Sequence, residues 1–283
     1  MRQEKPSLLL LPGWNTPARY LEGTLPPWFL QHWTCRIHEW PGLGARSAWA
    51  PPGDMEELVG EVRSALAQGP FAGVVGFCLG GVVAWEHARR TPTGHPPLIL
   101  VESPYHFPLP LVPILVPGIG PWLFRGFTGT RPGRACIKWA LFGRQSALPP
   151  GFWEAFGRPQ SASAAQAYLR IISRYEKGLP LTPAQLACPC HRIVGAASPR
   201  LLAWPWGRKH TIFAEEHRMR GVGHFPASEC PEGLYRMIDA ILGPPRIEFP
   251  RPRPSMARMG NWPISGPPEG PCSNPSPKSS PKR

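Results

Sequence analysis

The sequence predicts an α/β fold, a mostly parallel sheet flanked by helices, and three observations carry that expectation. Short, continuous apolar runs of strand length alternate with stretches of helical spacing, the pattern of strand-helix-strand units. Several runs stop at proline or glycine, as Ser7–Leu11 does at Pro12-Gly13 and Thr34–Trp40 does at Pro41-Gly42-Leu43-Gly44. A chain of 283 residues, 42% hydrophobic and 17% charged, has the length and composition to bury one sizeable core.

The elements follow in order. Ser7–Leu11 and Thr34–Trp40 are the first two extended segments. A helix begins after Asp54, with Met55, Leu58, Val59, Val62 and Leu66 on one face. Asp54 is placed to cap it, Glu57 stands at the reciprocal capping-box position, and Gly69 is placed to end it. Phe71–Phe77 reads as a strand, Leu79–Arg90 as a helix and Leu98–Glu102 as a strand. The alternation then lapses over 103–187, which holds a proline-punctuated apolar stretch and a helix around Ser161–Glu176; this region reads as an inserted cap. The pattern resumes with Arg192–Gly195, an expected strand near His210–Phe213, and a helix Pro231–Leu242 with proline in its first turn. The core is thus 1–102 with 188–243, and 244–283 is expected to be a flexible tail rich in Pro, Ser, Gly and Arg.

Charge and composition narrow the function classes. The net charge is +13, and the tail holds seven basic against two acidic residues, so the body is strongly basic in its own right. Such a body favours anionic substrates, acidic carrier proteins or anionic membrane surfaces. No nucleic-acid recognition motif accompanies it, so nucleic acid is not expected as a partner. The apolar stretch 107–124 is interrupted by Pro108, Pro110, Pro113, Pro117 and Pro121, which argues against a spanning helix and for an apolar lid or interfacial patch. The apolar run after Met1 is too short for a secretory leader. Seven cysteines at 35, 78, 136, 188, 190, 230 and 272 form no disulfide framework, so free thiols in a reducing, cytoplasmic setting are expected.

Chemistry concentrates in Val74-Val75-Gly76-Phe77-Cys78-Leu79-Gly80-Gly81-Val82. It reads as strand, Gly-x-Cys-x-Gly, then helix, the context of a nucleophile elbow with cysteine in the central place. A turn that tight leaves no room for side chains two positions either way, which gives Gly76 and Gly80 a steric reason. It would set Cys78 at a helix N-terminus, where a thiolate is stabilised. Cys78 could also be a small buried core residue, and the strand-turn-helix context favours the nucleophile.

Other segments form a set with the elbow. Pro12-Gly13-Trp14 follows the first strand, Glu39-Trp40-Pro41-Gly42-Leu43-Gly44-Ala45-Arg46-Ser47 follows the second, and Gly221-Val222-Gly223-His224-Phe225-Pro226 precedes the last helix. On these residues the chain resembles the α/β-hydrolase superfamily, in family order and over nearly the whole body. The cysteine elbow resembles those of dienelactone hydrolases and polyhydroxyalkanoate synthases. The resemblance implies His224 as general base and the backbone N–H groups of Leu79 and Trp14 as the oxyanion hole.

The chain departs from the family pattern at the acid. Where the family carries Asp past the Arg192–Gly195 strand, this sequence reads Gly195-Ala196-Ala197-Ser198-Pro199. The alternative position, at the end of the preceding core strand, holds Glu102. Glu102 is either a catalytic carboxylate or one half of a structural ion pair. Ser198 is the alternative orienter, because a thiol needs less polarisation of its base than a hydroxyl.

The implied function is an esterase, thioesterase or acyltransferase acting through a covalent acyl-thioester on an apolar substrate, free or carrier-bound. A non-catalytic ligand-binding or interaction protein on the same scaffold is the other reading, prompted by Ser198 in the acid slot and Pro12 where the family has histidine. Cys188-Pro189-Cys190-His191 lacks a second ligand pair, so neither a metal nor a cofactor is expected.

Overall fold

The computed structural model describes residues 4–91, 93–103, 109–142, 151–156, 162–178, 186–198 and 215–243. The expected strand near His210–Phe213 and the tail 244–283 lie outside them.

Six parallel strands form one sheet in the order β2-β1-β3-β4-β5-β6, built from β1 (Ser7–Leu11), β2 (Thr34–Ile37), β3 (Gly73–Phe77), β4 (Leu98–Val101), β5 (Cys190–Gly195) and β6 (Glu215–Met219). β1, β3 and β4 carry the apolar runs, and every residue of β3 and β4 is buried. Because β2 lies on one side of β1 and β3 on the other, the chain reverses its winding direction there. In open parallel sheets a crevice opens at such a reversal, outside the carboxyl ends of the strands. The register aligns those ends: Leu11 pairs with Gly76, Phe77 with Val101 and Val101 with Ile193. The residues that follow, Gly13, Cys78, Glu102 and Gly195, therefore emerge along one rim.

Helices cover both faces. α1 (Ala18–Glu22), α2 (Pro27–His32) and, after β6, the short α9 (Pro226–Glu229) and α10 (Pro231–Leu242) belong to one side; α3 (Met55–Leu66) and α4 (Leu79–Arg90) cover the other. Asp54 caps α3 by accepting from the Glu57 N–H at 3.0 Å. Glu57 reaches back to the N–H of Gly53 rather than to that of Asp54, and α3 ends at Leu66, a turn before Gly69.

Between β4 and β5 come α5 (Ile119–Gly129), α6 (Arg131–Leu141), α7 (Phe152–Phe156) and α8 (Ala162–Gly178). Ile114, Phe124, Phe142, Phe152, Phe156, Ala165 and Leu169 make an apolar cluster of their own. α8 is shared: Ala164, Tyr168 and Ile171 join the core beside α3 and α4, and Tyr168 donates to the carbonyl of Pro41 at 2.6 Å. No helix among the described residues is long and apolar enough to cross a membrane. The thiols of Cys35, Cys78, Cys136, Cys188 and Cys190 are free, as expected. Cys230 is the correction, being disulfide-bonded; among the described residues it is the one such cysteine, which leaves no spacing pattern to read.

Candidate active site

The turn from β3 to α4 is as tight as the glycine spacing requires. Cys78 sits between them at φ 46°, its N–H donates to the Val101 carbonyl at 2.8 Å, and its own carbonyl accepts from Gly81 and Val82. A Cβ on Gly76 would lie 2.4 Å from Gly81 Cα, and one on Gly80 2.2 Å from the Leu11 carbonyl oxygen. Both are closer than carbon can approach backbone, so glycine alone lets α4 start this near to β1 and β3. Leu79 opens α4, where a first-turn N–H has no helical partner and is free to meet an oxyanion. The Pro12-Gly13-Trp14 turn packs against the elbow, since a Cβ on Gly13 would stand 3.2 Å from Cys78 Cβ.

His224 is brought to the same rim by the loop after β6. Its Nδ1 lies 3.0 Å from Glu102 Oε2, which leaves Nε2 as the nitrogen for Cys78, whose thiol is near enough to act on the ring's charge. Burial by itself would push the imidazole pKa down. The charge and hydrogen bond of Cys78, then those of Glu102, outweigh it and raise the pKa to about 10.

Glu102 is held from three sides. Its Oε1 accepts the Gly195 N–H; its Oε2 accepts the Ser198 hydroxyl at 2.8 Å and faces His224. The carboxylate, not Ser198, touches the imidazole, and Ser198 stands behind it. Glu86 gives the contrast, a fully buried carboxylate in α4 bonded to Arg89, Arg90 and Tyr175. Glu102 is also buried, yet among the described residues it has no lysine or arginine beside it; the imidazole is its ionisable partner. A buried carboxylate without a cation is costly, so a protonated His224 fits it.

Backbone strain marks the same place. The described non-glycine residues with positive φ are Asn15, Cys78 and Glu102, at 53°, 46° and 49°, and all three lie on this rim. Such conformations persist where surrounding structure enforces them, and they gather at functional sites.

The roof is aromatic. Trp14 meets Phe124 and Phe156 edge-on, each at 5.7 Å, and its indole N–H donates to the Ala165 carbonyl at 2.9 Å. Phe225, the neighbour of His224, stacks on Phe142 at 4.8 Å. Helices from the 103–187 region thus close over both the oxyanion-side turn and the histidine loop. Two contributors escaped sequence reading. The Asn15 side chain bonds the Phe156 carbonyl, fastening that turn to the roof, and the Gly195 N–H anchors Glu102. An asparagine after Gly-Trp hints at a left-handed turn, whereas a backbone N–H leaves no signal.

The profile of the alpha/beta hydrolase family matches residues 8–237. The chain belongs to the alpha/beta hydrolase family. Solved structures of the same fold include epoxide hydrolase I of potato (Solanum tuberosum), at 15% identity over 84% of this chain and 93% of that one, with a TM-score of 0.64. A membrane phospholipase A described as a bacterial virulence factor aligns at 20% identity over 84% and 78%, with a TM-score of 0.60. The RedJ thioesterase of the prodiginine pathway of Streptomyces coelicolor aligns at 19% identity over 86% and 89%, with a TM-score of 0.54. No curated protein sequence matches the chain significantly. At these identities the structures establish a shared hydrolase fold and nothing finer.

Proposed function

We propose that this family member hydrolyses or transfers the acyl group of an apolar ester or thioester, with Cys78 as nucleophile, His224 as base and Glu102 as its orienting acid. The observation that carries the reading is the meeting of Cys78, His224 and Glu102 at the carboxyl rim of the sheet, with Glu102 Oε2 3.0 Å from His224 Nδ1 and Cys78 close enough to raise the ring's pKa. His224, whose raised pKa favours holding the thiol's proton, takes it first; Sγ then bonds to the substrate carbonyl carbon, and negative charge collects on the carbonyl oxygen. The N–H groups of Leu79 and Trp14 receive that oxygen; losing one such donor typically costs ~10²–10³ in turnover. Collapse breaks the bond to the alcohol or thiol, which leaves with the proton from His224. Water or an acceptor hydroxyl then attacks the acyl-thioester, and the thiol is restored.

The aromatic cluster under α5–α8 is read as the acyl pocket, and the 103–187 region as the cap that supplies it and excludes water. The lipase-type and thioesterase names among the fold neighbours agree with an acyl substrate. The test is intact mass spectrometry after brief incubation with a panel of p-nitrophenyl esters and acyl-thioesters. An adduct of acyl mass on Cys78, absent in Cys78→Ala together with turnover, is the expected result. Undiminished turnover in Cys78→Ala would refute the nucleophile. No adduct and no turnover across the panel would favour the ligand-binding reading instead.

A further inference from the structure

We infer that His191, Glu215 and His217 form a binding site for a divalent transition-metal ion of the zinc type, at the outer edge of the sheet. Parallel pairing sets Glu215 opposite His191 and His217 opposite Ile193, so the three side chains leave the same face of adjacent strands. With one ligand atom from each residue, all three lie within 4.8 Å of one another, and each histidine faces its own oxygen of Glu215. His217 Nε2 lies 3.5 Å from His191 Nδ1, His191 Nδ1 lies 3.7 Å from Glu215 Oε2, and Glu215 Oε1 lies 3.8 Å from His217 Nε2. A tetrahedral ion with bonds of about 2.0–2.1 Å separates its ligands by about 3.4 Å. Small rotations of three side chains would close the triangle onto one ion and leave a fourth position for water.

The donor chemistry selects the class of ion. Two imidazoles and a carboxylate suit Zn²⁺, Co²⁺ or Ni²⁺ and disfavour Mg²⁺ and Ca²⁺, which prefer all-oxygen shells. Two ring nitrogens aimed at each other at 3.5 Å make a poor hydrogen bond, whereas a cation between them uses both lone pairs. The two histidine side chains are each 21% exposed and Glu215 61%, so an ion can enter from solvent.

The location gives the site a structural meaning. β6 is the outermost of the described strands, and β5 and β6 end at Gly195 and Met219, which are paired in register. Gly195 anchors Glu102, and the chain leaving Met219 carries His224 five residues later. His191 stands four residues before Gly195, about 13 Å along the strand. The site is therefore separate from the catalytic rim but built on the two strands that deliver its acid anchor and its base. An ion there would clamp β6 to β5.

Zn²⁺ titration of the full chain by calorimetry, with a parallel thermal melt, tests this. It is run in the Cys78→Ser background, because a thiol beside an imidazole could itself take zinc. One ion per chain and a Tm that rises with Zn²⁺ are expected, with both effects lost in His191→Ala/His217→Ala. Binding or a Tm rise of equal size in the double variant would overturn the proposal. Should that variant fail to fold, Co²⁺ added to the Cys78→Ser chain decides. Tetrahedral visible absorption with paramagnetic broadening of the His191 and His217 ring signals supports the site, and broadening elsewhere or none refutes it. The outcome does not depend on the acyl-transfer reading.

Discussion

Replacing Glu102 by glutamine tests the site's electrostatics without changing its shape. The carboxylate accepts three hydrogen bonds, one at Oε1 from the fixed Gly195 N–H and two at Oε2 from Ser198 and His224. A glutamine amide has one oxygen. The backbone donor cannot turn away, so the oxygen goes to Gly195 and the NH2 faces His224 Nδ1. That nitrogen must then accept, which moves the imidazole proton to Nε2, where it opposes the Cys78 thiol instead of receiving its proton. The lost charged hydrogen bond is worth about 1.5–3 kcal/mol, roughly 10- to 100-fold in rate. Adding the wrong tautomer gives an expected fall in kcat/KM of about 10²–10⁴, with stability reduced by no more than a few kcal/mol. Titration reports the same change. With Glu102 in place, the raised His224 pKa contributes stability that is complete below pH 6.5 and lost as pH rises towards about 10. In Glu102→Gln that loss sets in at lower pH. Ester turnover, Cys78 alkylation by iodoacetamide and a thermal melt against pH measure all three. Turnover and alkylation within twofold of the parent would refute the orienting role.

Three further predictions concern packing, charge and partners. Gly80→Ala places a methyl 2.2 Å from the Leu11 carbonyl, so urea melts should show a loss of about 1–3 kcal/mol, whereas Gly60→Ala, with nothing within 4 Å, should stabilise α3 by about 0.5–1 kcal/mol; a Gly80→Ala chain as stable as its parent would contradict the crowding. Burial, assisted by His95, Arg63 and Arg90, lowers the His87 pKa to about 4. Between pH 6.5 and about 4 the unfolded chain thus binds a proton the fold refuses; stability should fall by about 1–2 kcal/mol across that window and by less in His87→Gln. Trp122 and Trp139 are 72% and 76% exposed on α5 and α6, and the sequence between Glu102 and Glu154 holds basic but no acidic residues. We propose that this face meets anionic membrane, so phosphatidylglycerol vesicles should retain the chain at low salt, phosphatidylcholine vesicles should not, and Trp122→Ala/Trp139→Ala should weaken retention; equal retention of the double variant would exclude the face.

The sequence by itself determined the scaffold and the elbow. Strands buried on both faces leave continuous apolar runs, and a turn without room for side chains leaves Gly76 and Gly80 around Cys78; both constraints act locally, so both are legible in one dimension. Only the tertiary structure decided which group meets the imidazole. Glu102 and His224 stand 122 positions apart, and nothing short-range separated Glu102 from Ser198 as partner to the ring. The helices α5 and α6 were likewise unforeseen, because prolines and an apolar composition hid their period within the 103–187 region. The triangle of His191, Glu215 and His217 depends on strand register, and register is set by how two strands pack against the whole sheet.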